Sequence, residues 1–276
     1  MNGAFSAELP ASDPELRSAR LGGLPLIYTD VGPRDAPALL AVHGIPGSVR
    51  DFRYLGAQVE AQLRFVRIDL PGFGGSAPVR DAVRTLAGRV RVVLALADRL
   101  GLERFAVLGH SMGGGTALLT AAHAPERVTL VALLASVALS LHRGLGLQPR
   151  VFALLGRALD VPILRALLLP LVRAQYRRRR LPGADQLGAA ELALQLQAIA
   201  AVDFGLLRQA VAGRLPPALH CYSRDDHMIE THISEELSRA LPGARVLAFD
   251  QGGHNIQKTH APEIGQALRE CLLGSG

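Results

Sequence analysis

Several things are scarce in this 276-residue sequence, and each scarcity removes a class of protein. Only two cysteines are present, Cys221 and Cys271. A disulfide-stapled scaffold or a cysteine-rich metal module needs more. Cys221 falls in a strand-like run and Cys271 in the last helical pattern, so both are expected to be buried thiols. Apolar residues make up 49% of the chain, yet no charge-free apolar run reaches the about eighteen residues that a spanning helix requires. The opening segment, MNGAFSAELPASDPELRSAR, lacks the basic-then-apolar pattern of a secretory signal, which makes a cytoplasmic location the expectation. Lysine is nearly missing: of 30 lysines and arginines, only Lys258 is a lysine. The net charge of +6 invites a nucleic-acid partner. The arginines are scattered, however, and aromatics amount to 4%, so no basic face interleaved with stacking rings is built.

What is present is an alternation of apolar runs and helical patterns, without an internal repeat. A chain of this length buries about three quarters of its extended surface, enough for one large core. Strand-like runs occur at Leu24–Val31, Ala38–Val42, 65 to 69, 105 to 108, Val128–Leu134, 218 to 222 and Arg245–Phe249. Between them, residues 52 to 63 (with Ser48 as cap), 85 to 100 and 113 to 123 follow helical spacing. Such alternation implies parallel strands with right-handed crossovers. It breaks at Leu139 and resumes at Ala218. The stretch between is rich in Leu and Ala and is interrupted by Pro149, Pro162, Pro170 and Pro182.

The chain is organised around residues 104 to 119, RFAVLGHSMGGGTALL. An apolar run ends in Gly109-His110-Ser111-Met112-Gly113, and a small-residue helix begins. In this strand–turn–helix context, G-x-S-x-G is the pattern of a nucleophile elbow. Ser111 must stand at the turn tip in a strained conformation, so the positions two before and two after must be nearly free of side chain. Gly109 and Gly113 meet that demand. The helix N-terminus and the Met112 N–H then face any oxyanion formed at Ser111. Such a serine needs a histidine and a carboxylate further along. Asp225 and Asp226 follow the 218 to 222 run; Asp250 and His254 follow Arg245–Phe249. Each lies just past the carboxyl end of a strand, where open α/β sheets place their sites.

On these residues the chain resembles the α/β-hydrolase family, over about residues 25 to 273 and most weakly from 139 to 215. The resemblance implies an α/β-hydrolase fold: a mostly parallel twisted sheet flanked by helices, with a helical cap inserted after the sixth strand. Residues 16–138 and 216–276 would form the core domain, 139–215 the cap, and 1–15 a flexible leader. The loop His43-Gly44-Ile45-Pro46 matches the family's H-G-x-P loop, whose second oxyanion donor is here the backbone N–H of Ile45, beside that of Met112. His43 itself reads as a structural hydrogen-bonder. Asp69 and Ser76, in a D-x-P-G-x-G-x-S string, belong to loop geometry. Ser111 is the nucleophile and His254 the base. Asp226 matches the family's G-x-x-D pattern with Ser223 in place of glycine, a departure that leaves Asp225 as an alternative. Asp250 is a poorer candidate, and Ala135-Ser136 offers no carboxylate. His220, His227, His232 and His260 are assigned to surface or structural roles.

A serine nucleophile disfavours epoxide opening and halide displacement, for which relatives carry Asp. The reaction implied is acyl transfer to water through an acyl-enzyme, on a carboxylic ester or related small acyl substrate, with neither metal nor cofactor. Carbon–carbon bond cleavage with the same triad, or a non-catalytic ligand-binding protein on the scaffold, are the alternatives. The apolar content of residues 151 to 173 suggests a pocket roof for apolar groups, or else cap helices packed only on each other. The arginines at 177 to 180 read as a solvated helix end. A lid meeting lipid headgroups is the weaker reading, because prolines and Arg157, Asp160 and Arg165 interrupt the apolar face. The oligomeric state is not legible.

Overall fold

Apolar runs covered on both faces become the middle of a single sheet. In the computed structural model, which describes residues 9–21, 23–77, 85–144, 149–178, 187–241 and 243–274, the strands are β1 (Arg17–Leu21), β2 (Leu24–Val31), β3 (Ala38–Val42), β4 (Arg64–Ile68), β5 (Phe105–His110), β6 (Val128–Leu134), β7 (Ala218–Ser223) and β8 (Arg245–Phe249). They form an eight-stranded sheet in the order β1-β2-β4-β3-β5-β6-β7-β8. β1–β2 and β2–β4 pair antiparallel, and every pair from β4 to β8 is parallel. All residues of β3, β5 and β7 are buried, whereas edge strand β8 is largely exposed. That contrast is why the inner strands read as unbroken apolar runs.

Alternation along each strand splits the core in two. Leu40, Val42, Val107, Val131 and Leu133 point to one face, where helices α2 (Leu86–Arg99), α3 (Met112–His123) and α8 (Thr231–Ala240) pack. Leu39, Ala41, Ala106, Leu108 and Ala132 point to the other, against α1 (Arg53–Val59) and α10 (Ala261–Leu273), which follows the short α9 (Ile256–Thr259).

The structure departs from the sequence expectations in several places. β1 reads poorly because Arg-Ser-Ala-Arg-Leu carries two exposed arginines, pairs antiparallel with β2 alone and gives only Ala19 to the buried core. The helix expected over 52 to 63 is shorter. A 3-10 turn at Val49–Phe52, capped by Ser48 and Asp51, leads into α1, and Leu63 N–H turns back to the Val59 carbonyl at 2.9 Å. Part of the segment expected as a leader is tied down. Ser12 N–H donates to the Arg53 carbonyl at 2.8 Å, and Ser12 also bonds the buried Arg67. Residues 1–8 lie outside the described residues. Cys221 is buried as expected, but Cys271 is exposed on α10; both are free.

Between β6 and β7 lie α4 (Pro149–Ala158), α5 (Pro162–Arg178), α6 (Ala189–Ala200) and α7 (Phe204–Ala212). Pro149 and Pro162 open helices, where a missing N–H costs nothing, and Pro170 sits inside α5. These helices hold a small core of their own: Leu159, Val172, Tyr176, Leu192 and Leu196, with Phe152 and Leu155 against it. The apolar residues of 151 to 173 therefore divide, some packing helix on helix and others standing in solvent. Arg89 links this region to the main core: it is fully buried and donates to the Ala198 carbonyl at 3.1 Å. Among the described residues no single helix is long and apolar enough to cross a membrane.

The burial contrast gives a direct stability test. Leu133 is 0% exposed and Leu154 65% exposed. Leu133→Ala should cost roughly 2–5 kcal/mol by urea denaturation, and Leu154→Ala no more than about 0.5 kcal/mol. Equal losses would contradict this assignment of the core.

Candidate active site

Ser111 sits between β5 and α3 with φ 53 and ψ −121, one of two non-glycine residues at positive φ among those described. The turn is possible because of its glycines. A side chain at Gly109 would collide with the Gly113 backbone, and one at Gly113 with the Val42 and His43 carbonyls. Hydrogen bonds hold the turn from both ends. Ser111 N–H donates to Leu134 O at 3.0 Å, and Ser111 O accepts from Gly114 at 2.9 Å and Val137 at 3.0 Å. No side chain caps α3, so the N–H groups of Met112 and Gly113 at its start have no intrahelical acceptor.

The topology carries the distant partners to the same edge. His254, in the loop after β8, sets Nε2 2.9 Å from Ser111 Oγ and Nδ1 2.8 Å from Asp226 Oδ2. Asp226, in the loop after β7, accepts Met228 N–H at 2.7 Å and Ile229 N–H at 3.1 Å on its other oxygen. Burial alone would raise this carboxyl. The His254 bond and the two backbone donors outweigh it, and Asp226 lies below the usual carboxylate range. An ionised Asp226 takes the Nδ1 proton as its donor, which leaves Nε2 free to accept from the serine hydroxyl.

Asp225 does not touch His254. Its Oδ1 accepts from Ser223 Oγ and from Gly253 N–H, the latter at 2.8 Å. It braces the glycine pair that delivers His254, and Ser223, the residue standing where glycine was expected, completes that brace. Asp250 is 94% exposed at its side chain and pairs with Arg224. His43 is buried; its Nδ1 donates to Gly44 O at 2.6 Å and its Nε2 accepts Leu70 N–H at 3.0 Å, tying two loops together. Asp69 receives Val49 N–H at 2.7 Å and Gly75 N–H at 2.8 Å, and Ser76 Oγ donates to the Asp69 carbonyl at 2.7 Å. The His43–Pro46 loop lies beside the serine: a Cβ on Gly44 would stand 3.1 Å from the Ser111 Cβ. Met112 thus follows Ser111 in sequence, and the loop that carries Ile45 lies beside it in space.

Two histidines at the site were not singled out from sequence. His110 is buried, with Nε2 donating to the His254 carbonyl at 2.9 Å and rings 5.0 Å apart. Strand parity was the available signal, since His110 shares the face of Ala106 and Leu108. His142, also buried, donates from Nδ1 to Met228 O at 3.1 Å and so fastens the chain after β6 to the Asp226 loop. His220, expected at the surface or in a structural role, is fully buried and bonds Ser238 at 2.8 Å. His227 is exposed, and His260 stacks on Phe249 at 3.8 Å. Among the described residues no group of three or more His, Cys, Asp or Glu is arranged to hold a metal.

A family model described as alpha/beta hydrolase fold matches residues 37–157. Among similar proteins, a dihydrolipoyllysine-residue acetyltransferase component of the acetoin cleaving system of Pseudomonas putida is 29% identical over 274 residues, covering 95% of this chain and 70% of that one. A putative carbamate hydrolase of Klebsiella pneumoniae is 29% identical over 249 residues, 86% of this chain and 91% of that one. A 2-hydroxymuconate semialdehyde hydrolase of Pseudomonas putida is 28% identical, covering 86% of each chain. Among solved structures, an alpha/beta hydrolase fold protein from Burkholderia ambifaria superposes with a TM-score of 0.75 at 21% identity, covering 94% of this chain and 98% of that one. The chain has the α/β-hydrolase fold and matches that family's model over residues 37–157, and its hydrolase-named relatives support a hydrolytic activity.

The buried histidines set an acid limit. Burial pushes His110 down to about 3 and His220 to about 4, while His142 is lowered in the same sense. Unfolded, each takes up a proton near 6.5. Their neutral burial is therefore fully tolerated above pH 6.5, and stability is lost as pH falls from 6.5 toward 4. Urea denaturation should show that decline, and His110→Gln/His220→Gln should flatten it. Stability that is level across this range in the parent protein would contradict the burial assignment.

Proposed function

We propose that this protein is a serine hydrolase of carboxylic esters or related acyl compounds, acting through an acyl-enzyme on Ser111. One observation carries the reading: Ser111 Oγ, the His254 ring and Asp226 form a continuous hydrogen-bonded line, at 2.9 and 2.8 Å. In the first step His254 Nε2 takes the Ser111 proton as Oγ attacks the acyl carbon. The imidazolium then gives that proton to the leaving alcohol. Water enters, gives a proton to Nε2 as it attacks the acyl carbon, and the imidazolium returns that proton to Ser111 Oγ as the acid leaves. Asp226 holds the Nδ1–H tautomer and stabilises each imidazolium. The N–H groups of Ile45 and Met112 serve the oxyanion, aided by the N-terminus of α3.

Apolar residues next to the serine favour an apolar substrate. Met112, which follows it, and Val137, which bonds its carbonyl, belong to the apolar core, and Ile45 is partly buried on that core. In this proposal the helices of 139–215 form a cap over the 16–138 and 216–276 core and bound the pocket. A second reading, hydrolysis of a carbon–carbon bond by the same groups, draws support from the 2-hydroxymuconate semialdehyde hydrolase relative.

The proposal is tested with p-nitrophenyl esters of increasing acyl length. kcat/KM should rise from acetyl to medium chains, each CH₂ adding a few-fold until the pocket is full. Ser111→Ala should abolish turnover, by roughly a million-fold, with an unchanged melt. Asp226→Asn should cost about ten-thousand-fold, and Asp225→Asn, which disturbs only the Gly253 brace, far less. Undiminished activity in Ser111→Ala would sink the mechanism; a flat or falling chain series would sink the apolar pocket.

A further inference from the structure

Twelve large apolar side chains stand exposed among the described residues, and seven of them fall between 151 and 171. On α5, Ile163, Leu167 and Leu171 are spaced by four residues and share one face, at 76%, 65% and 66% exposure. Leu164 lies beside this row, and Leu154 on α4 is 65% exposed. The opposite face of α5 buries Val172 and Tyr176 in the small core shared with α4 and α6. A helix apolar on both faces calls for two apolar neighbours. Here the described chain covers only the inner one.

The charged residues that interrupt the apolar sequence do not fall on this row; Pro170, three residues past Leu167, does, and it adds no charge. Pro162 is the first residue of α5, and Pro170 lies within the helix. Arg165 turns away, its Nε donating to the Leu159 carbonyl at 2.8 Å. Residues 149–178 carry six arginines against one acid, Asp160. Arg178 continues the face of Ile163, Leu167 and Leu171 at the helix end, and Arg177 and Arg178 are exposed. We propose that this outer face of α5 docks on an anionic lipid bilayer, Ile163, Leu167 and Leu171 entering the interface and Arg178 at the helix end meeting headgroup phosphates. A second copy of the chain fits less well, since it brings the same excess of arginines over acids and no anionic surface to meet them.

The test is flotation of the full chain with vesicles of phosphatidylcholine alone or mixed with phosphatidylglycerol. The protein should float with the mixed vesicles, less with neutral ones, and release as salt rises. Leu167→Glu/Leu171→Glu should lower the bound fraction about tenfold or more. The milder Ile163→Ser/Leu167→Ser should lower it as well, and both variants should keep the parent melting temperature because the altered side chains are exposed. Arg177→Gln/Arg178→Gln should weaken binding to the mixed vesicles only. Failure of the parent protein to float, equal flotation of the apolar variants, or a dimer on size exclusion that those variants split would each overturn the proposal. None of these readouts involves ester turnover, so the result is independent of the Ser111 mechanism.

Discussion

The carboxyl edge of the sheet depends on one backbone constraint: Ser111 is held in a conformation that side chains normally avoid. A residue at positive φ costs of order 1–3 kcal/mol and persists only when its surroundings over-determine it. Here three backbone hydrogen bonds fix the peptide units on either side, and two glycines supply space that no Cβ would leave. The return is positional. The hydroxyl stands clear of strand and helix, beside the open first turn of α3.

Around that point, three loops from distant parts of the chain are locked by side chains whose hydrogen-bonding capacity is spent on backbone. His43 joins the loop after β3 to the one after β4, and Asp69 gathers the ends of both. His110 holds the carbonyl of His254 from below, Asp225 holds Gly253 from beside, and His142 holds Met228 next to Asp226. The imidazole of His254 is thus oriented by its own two bonds and by the neighbours of its peptide. Under the proposed mechanism, such bracing keeps the proton-transfer geometry within the few tenths of an ångström it tolerates.

Legibility followed burial. β3, β5 and β6 were readable because parallel strands covered on both faces leave an unbroken apolar signature. Ser111, His254 and Asp226 stood out in the sequence because glycines and strand ends flank them, and the structure brings their side chains together. β1 escaped notice because a short antiparallel edge with two arginines has no such signature. The end of α1 was overrun because residues 60 to 63 keep helical spacing while turning back on Val59. His110 and His142 were missed because their work is done on backbone carbonyls, which leave no pattern in sequence. The G-x-x-D spacing favours Asp226 and leaves Asp225 as an alternative; in the structure Asp226 bonds His254 and Asp225 bonds Gly253. The divided apolar face of α5 was equally hidden, since composition does not tell an inward leucine from an outward one.

The most direct measurement is covalent labelling of the native protein with a fluorophosphonate, followed by intact-mass and peptide-level mass spectrometry. A serine activated by His254 and faced by the α3 N-terminus should give one adduct, on Ser111, and His254→Ala should suppress it. A folded protein that takes up no label, or an adduct on a serine other than Ser111, would contradict the account.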